Sequence, residues 1–338
     1  MAEEHFVVIG NGPAGHEAAM TLKKKAPDAY VTIISRNRQS CYRPHLLPDF
    51  IAGKVREEAL FVCPPGAYRE KGVKLRTGQR VAGLDLKEKS LILDHKEVVG
   101  FTGLIVAAGG KPRIPETLLV FKDLMLTLKT LEDARIWMDR LSQTETVLVM
   151  GGDLTSFAVT KALVKLNKKV FFLLDEEAFW PLRCDRTVLE EAAHRLARLG
   201  VEVLVGRRLK SMARLSNRAY EVQLNGDRFA VGIVGAFFGL VPDIRFLVGS
   251  GLRIDRGILV NEYLNAGHEG VYATGDCAQI YHPELRDYWV SIGYDNAVSL
   301  GRIAALNLLG GEVKAEAAGE SVFEVQGIRV NTSWWMEF

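Results

Sequence analysis

The chain moves from a polar start into an unbroken apolar run, Phe6–Ile9, a pattern that suits a strand buried on both faces. A glycine-rich turn follows, and then Ala18, Ala19 and Leu22 fall on one face of a predicted helix. The next apolar run, Val31–Ile34, predicts a second strand. The order strand, glycine turn, helix, strand recurs downstream: "TVLVM" reads as a strand, "GGDLTSFAVTKALVKL" as a turn and helix, and "VFFLL" as another strand. Two further runs end on turn residues. "GLIVAAGGKPRIP" predicts a buried strand that stops at a glycine-proline crossing. "GVYATGDCAQI" predicts a strand ending at Gly275-Asp276, ahead of the helical stretch "YDNAVSLGRIAALNLLG". Two βαβ units in one chain predict an α/β fold with two Rossmann-like domains, in tandem or with one inserted into the other.

Gly10, Gly12 and Gly15 complete a G-x-G-x-x-G turn, with Pro13 and Ala14 inside it. The first glycine permits the tight turn, the second lets backbone approach a pyrophosphate, and the third lets helix and strand pack closely. The helix start then offers unpaired N–H groups to an anion. Asp276, at a strand's C-terminal edge, has two readings: it accepts a hydrogen bond from a polyol hydroxyl, or it caps the following helix. The second turn keeps Gly151 and Gly152 but puts Asp153 where such turns place another glycine. Two unit charges about 4 Å apart, at an effective dielectric near 20, repel by about 4 kcal/mol. A directly facing Asp153 therefore opposes a nucleotide pyrophosphate. Alternatively Asp153 caps its own helix, with Thr155 and Ser156 in the same first turn, and takes the N–H groups a phosphate would use.

Composition narrows the classes. At 338 residues, with 48% hydrophobic and 25% charged residues, the chain has room for two globular domains. The net charge of +2 gives no reason to expect nucleic acid. No apolar run reaches the roughly 18 residues that span a bilayer, and no charged-then-apolar leader precedes the first strand, so a cytoplasmic protein without a membrane segment is expected. Cys41, Cys63, Cys184 and Cys277 show no C-x-x-C spacing, and no metal site is expected.

In order along the chain, "VVIGNGPAG", "CYRPHLLPDFIAG", "LIVAAGGKPR", "VYATGDCA" and "SLGRIAALNLLGG" resemble the FAD-dependent pyridine nucleotide–disulfide oxidoreductases. The branch they resemble holds NADH:rubredoxin reductases and the N-terminal part of assimilatory nitrite reductases. The resemblance implies an FAD domain in two segments, residues 1–118 and 241–315, with an NAD(P)-type domain, 119–240, inserted between them. The family's C-terminal interface domain is expected to be largely absent, replaced by a short tail, 316–338. It also implies that Gly10, Gly12, Pro13, Ala14 and Gly15 cradle the FAD pyrophosphate, that Ala108, Gly109, Gly275 and Asp276 line the same cofactor, and that Arg43 and Pro44 lie by the isoalloxazine ring. A cation there stabilises developing anionic character on a reduced flavin.

The departures from the family pattern are equally specific. Relatives carry an acid for the adenosine ribose at the second strand's end, where this chain has Ser35, Arg36 and Asn37; Asn37 or the Ser35 hydroxyl is the substitute expected. Ala108 replaces a threonine. In family register Asp153 replaces the second glycine of the NADH turn, Ser156 the third, and Ala158 a glutamate near the nicotinamide. Asp175 stands where the ribose-binding acid does and favours NADH over NADPH.

The expected function is therefore electron transfer between NAD(P)H and a small iron–sulfur protein through FAD. The alternatives are a flavoprotein subunit of a larger redox complex that exchanges electrons only with proteins, or a flavin-bound interaction protein. Cys41 and Cys277 are read as structural thiols, and His45 as a solvent-facing or hydrogen-bonded histidine. Trp334, Trp335, Met336 and Phe338 are read as a packing tail.

Overall fold

The computed structural model describes residues 4–64, 66–174, 186–216, 219–284, 286–291, 293–316, 322–325 and 328–331. The first apolar run becomes the strand His5–Ile9, buried from Phe6 onward. It pairs in parallel with Tyr30–Ser35 on one side and Gly103–Val106 on the other. Val73–Thr77 and Val271–Ala273 extend the sheet in parallel, and Asn265–His268 closes one edge antiparallel. Ile9 stands beside both Ile34 and Val106, so three strands end level at the Gly10 turn. The chain runs from His5–Ile9 to Tyr30–Ser35 on one side and returns through Gly103–Val106 on the other. That reversal creates the crevice in which doubly wound sheets hold ligands.

A second parallel sheet, ordered Glu202–Val205, Lys169–Leu174, Thr146–Gly151 and Ile233–Phe237, forms the other α/β unit. The strand entering it, Gly110–Pro112, pairs antiparallel with the strand leaving it, Leu240–Pro242. The unit is thus an insertion between Gly103–Val106 and Val271–Ala273 of the first sheet, not a tandem copy.

Side-chain alternation explains how the inserted sheet buries both faces. Val147 and Val149 join a core with Trp137, Phe157 and Phe172, while Leu148 and Met150 point to a core with Tyr220 and Val222 of an antiparallel three-stranded layer. Leu47, Phe50, Ile51 and Leu60 precede the insertion in sequence, yet they pack in the inserted unit's core. The "CYRPHLLPDF" segment therefore straddles both units.

Two local expectations need correction. After a short 3-10 turn, Gly275–Cys277, the chain forms strands Ala278–His282 and Asp287–Val290, which the pattern did not predict. The helix following them, Tyr294–Leu308, begins on Gly293, so Asp276 does not cap it. Among the described residues no helix is long and apolar enough to cross a membrane.

Candidate functional site

The first glycine turn is built by close approach. Gly10 has φ +104, and a Cβ there would stand 2.2 Å from the Ala107 carbonyl oxygen. A Cβ on Gly15 would stand 2.0 Å from the Gly10 carbonyl oxygen. Gly12 differs, because no atom lies within 4 Å of the position its Cβ would take. It opens the helix Pro13–Lys25 without any side-chain cap, so no capping side chain takes the first N–H groups at the positive end of the helix dipole. This is the cradle a pyrophosphate needs, and FAD fits it. Behind it, Asn11 is held by Tyr68, whose hydroxyl donates to Asn11 Oδ1 at 3.0 Å and meets His16 Nδ1 at 2.8 Å. Burial lowers the pKa of His16 and raises that of Tyr68, so both stay neutral.

Arg43, Pro44 and His45 start a short helical turn after the bridge between Tyr42 and Phe61. The Arg43 guanidinium donates to the carbonyls of Phe61 at 3.1 Å and Ala59 at 3.4 Å, and its charge bears on the Tyr294 hydroxyl. It is tied to backbone, and among the described residues it forms no salt bridge. His45 and Tyr294 rings lie 4.6 Å apart. Partial desolvation lowers the His45 pKa, and Arg43 adds to the effect against Asp295 and Asp49.

Asp276 Oδ2 faces Lys129 Nζ at 3.4 Å, an ion pair between the first unit and the segment that starts the inserted helix Leu131–Leu141. The Leu131 N–H donates to the Tyr42 hydroxyl at 3.2 Å, which anchors the same segment against the Arg43 loop. Lys129 and Tyr294 were missed by sequence reasoning. Lys129 precedes a capping box, Thr130 with Asp133, that flags a helix start but not what faces it. Next to Asp276, the buried Thr274 hydroxyl has no partner among the described residues.

At the end of the second strand, the Asn37 N–H donates to Ser35 Oγ at 3.2 Å, so part of the Ser35 hydroxyl's capacity is used locally. Arg36 turns to Asp243, immediately after the returning strand Leu240–Pro242. Gly109, at φ +66, accepts the Asp243 N–H at 3.1 Å, and Ala108 packs beside the first core.

The second glycine turn copies the backbone of the first and inverts its chemistry. Gly151, at φ +120, repeats Gly10, with a Cβ position 1.9 Å from the Phe237 carbonyl oxygen. Asp153 then caps the helix Leu154–Lys165: its Oδ1 accepts the Ser156 N–H at 2.8 Å and its Oδ2 the Gly239 N–H at 2.9 Å. The Thr155 N–H also bears on this carboxylate. The N–H groups of Gly152 and Asp153 go to the Phe237 carbonyl. Ser156 is buried and returns its hydroxyl to the Asp153 carbonyl. Burial pushes the Asp153 carboxyl up to about 6, against the pull of the Ser156, Gly239 and Thr155 N–H groups. Of the two readings, the structure has the self-capped one. Asp175, Cys184 and the Trp334–Phe338 tail lie outside the described residues.

Two buried thiols, Cys41 and Cys277, are inert. Burial pushes Cys41 up to about 12 and Cys277 up to about 11, so neither supplies thiolate near neutral pH. Among the described residues no group of three or more His, Cys, Asp or Glu is placed to hold a metal ion.

Residues 4–294 match the family described as pyridine nucleotide-disulphide oxidoreductase. The chain is 28% identical over 331 residues to putidaredoxin reductase of Pseudomonas putida, covering 94% of this chain and 77% of that protein. It is 24% identical to rubredoxin-NAD(+) reductase of Ectopseudomonas oleovorans, covering 90% and 80%. With the assimilatory nitrate reductase electron transfer subunit of Bacillus subtilis it shares 22% identity, over 82% of this chain and 36% of that one. The fold superposes on the reductase of a covalent putidaredoxin reductase–putidaredoxin complex with a TM-score of 0.88 at 24% identity, covering 97% of this chain and 81% of the other.

Proposed function

The chain belongs to the pyridine nucleotide-disulphide oxidoreductase family, and from that membership we propose an FAD-dependent oxidoreductase that moves electrons between NADH and a small iron–sulfur protein of the rubredoxin or ferredoxin type. The names of the similar reductases support the acceptor class. FAD, when bound, supplies the chemistry by accepting an electron pair and releasing single electrons. The chain's own residues bind and orient. Gly10, Gly12, Pro13, Ala14 and Gly15 receive the pyrophosphate, and Asp276, held by Lys129, accepts from a polyol hydroxyl. Arg43, tied to the backbone at Ala59 and Phe61, presents a fixed cation beside the ring, with Pro44 setting the turn. Residues 1–118 and 241–315 form the flavin unit and 119–240 the nucleotide-type unit, a division supported by the pairing of Gly110–Pro112 with Leu240–Pro242. A cytosolic location belongs to the same reading, in keeping with free Cys41, Cys63 and Cys277.

The contrast between the two turns carries the proposal and shapes it. The first helix start has no side-chain cap, whereas the second is filled by its own carboxylate. NADH therefore binds weakly, after displacing or protonating Asp153. The same observation favours a second reading, a flavoprotein subunit that exchanges electrons with protein partners alone. Anaerobic titration with NADH separates the two. Under the first reading flavin absorbance bleaches only at high NADH, and Asp153→Gly lowers the concentration needed by about tenfold or more, removing repulsion worth over 1.4 kcal/mol. Flavin that stays oxidised with NADH in both proteins, yet is reduced by dithionite, leaves the second reading standing.

A further inference from the structure

The acid expected at the end of the second strand is missing, and the fold returns one from a distant part of the chain. Tyr30–Ser35 and Gly103–Val106 flank His5–Ile9, and all three end level at the Gly10 turn. Arg36 lies one residue beyond the first flank. Asp243 is fixed beyond the other flank, its N–H donating to the Gly109 carbonyl at 3.1 Å. The Arg36–Asp243 ion pair therefore links the ends of the two strands that flank His5–Ile9, at the edge of the sheet where the strand order reverses and the Gly10 turn begins. Residues 35–39, Ser-Arg-Asn-Arg-Gln, hold no carboxylate of their own. Arg36 Nη1 takes Asp243 Oδ2, and Oδ1 has no partner among the described residues. The Asp243 side chain is 20% exposed, so it is sheltered but reachable.

We propose that Asp243 is the ribose-binding acid of the flavin unit, oriented by Arg36, and that its free Oδ1 accepts a hydrogen bond from an adenosine 2′-hydroxyl. The inference rests on the flavin reading above and deepens it. In doubly wound folds the carboxylate for the adenosine ribose comes from the second strand itself. Here it comes from the residue where the inserted unit hands the chain back to the first sheet. Arg36 would, on its own, invite a 2′-phosphate. Paired with Asp243 its charge is neutralised, and the carboxylate repels such a group. The site thus selects an adenosine with a free 2′-hydroxyl, which FAD has. It also links occupancy of the adenosine end to the crossing strands Gly110–Pro112 and Leu240–Pro242, because Asp243 follows one of them directly.

The test uses the full chain freed of flavin and calorimetric binding of ADP and 2′-deoxy-ADP, which need no turnover. The unaltered chain is expected to prefer ADP by about tenfold or more, as a charge-assisted hydrogen bond implies. Asp243→Ala is expected to lose most of that preference while binding 2′-deoxy-ADP about as well as before. Arg36→Ala is expected to reduce the preference in part, since the acid remains but loses its orienting partner. A preference unchanged in Asp243→Ala overturns the proposal, and so does an unaltered chain with no preference. Loss in Arg36→Ala alone would make Arg36 the contact, which also overturns it. If the flavin-free chain does not survive, FAD release rates from the intact protein and the Asp243→Ala variant decide: faster release at an unchanged unfolding midpoint supports the assignment, and equal rates refute it. A chain that takes up no FAD at all defeats the flavin reading itself, an outcome distinct from FAD uptake with equal release rates.

Discussion

Asp153 shows how one side chain converts a ligand site into a structural element. Its carboxylate receives the N–H groups of Ser156 and Gly239, so it both caps a helix and joins that helix to the neighbouring strand end. The same burial that permits this role raises its pKa from an ordinary 3.8 to about 6. The folded protein therefore keeps this proton over a range in which the unfolded chain has released it. The stability contributed by the group is full below about pH 4 and lost as pH rises through about 6. Asp153→Asn keeps the Ser156 hydrogen bond and cannot titrate. The unfolding midpoint of the unaltered protein should thus fall relative to Asp153→Asn as pH rises from 4 to 7. Midpoints that run parallel across this window would refute the account. Asp153's position in the turn was readable from the glycine spacing. Its state was not, because Gly239 lies far along the chain and reaches Oδ2 only through strand pairing.

At the scale of elements, the helices Pro13–Lys25 and Tyr294–Leu308 cross without room for another methyl group. A Cβ on Gly301 would stand 2.2 Å from the Ala14 carbonyl oxygen, at the turn that starts the first helix. Overpacking of this kind costs about 1–3 kcal/mol. Gly301→Ala should lower the denaturant midpoint and also weaken flavin retention, since relief requires the first helical turn to move. Unchanged retention in a destabilised variant would show that the helices separate without disturbing the cradle. The first helix, its strand and both glycine turns were legible from period and punctuation. The hairpin Ala278–His282 with Asp287–Val290 was not, because its alternation is short and its turn residues carry none of the usual two-residue hairpin signatures.

For the whole molecule, the decisive feature is that the two units share a segment. Leu47, Phe50, Ile51 and Leu60 precede the insertion yet pack with Trp137 and Phe157 of its core. Tyr42 and Lys129 add polar ties at the same junction. Phe50→Ala removes a buried ring and should cost about 3 kcal/mol or more. Because Phe50 lies a few residues from Arg43, the loss should appear together in unfolding of the inserted unit and in flavin release. Calorimetry showing two separated transitions, with flavin release tied to only one, would contradict the shared-segment account.

The sequence by itself determined the α/β class, the two βαβ units, the family resemblance and the identity of the first glycine cradle, because these depend on local period and on residues a few positions apart. It also exposed the unusual residues, Asp153 and Arg36, as departures from a pattern. Only the tertiary structure decided what those residues do. Asp153 is satisfied by Gly239, Arg36 by Asp243, and Asp276 by Lys129. Each partner arrives through an insertion that brings distant chain to the carboxyl ends of the strands. A lone carboxylate or guanidinium has several possible partners of similar energy, and the fold selects one by fixing which of them lies within hydrogen-bonding distance.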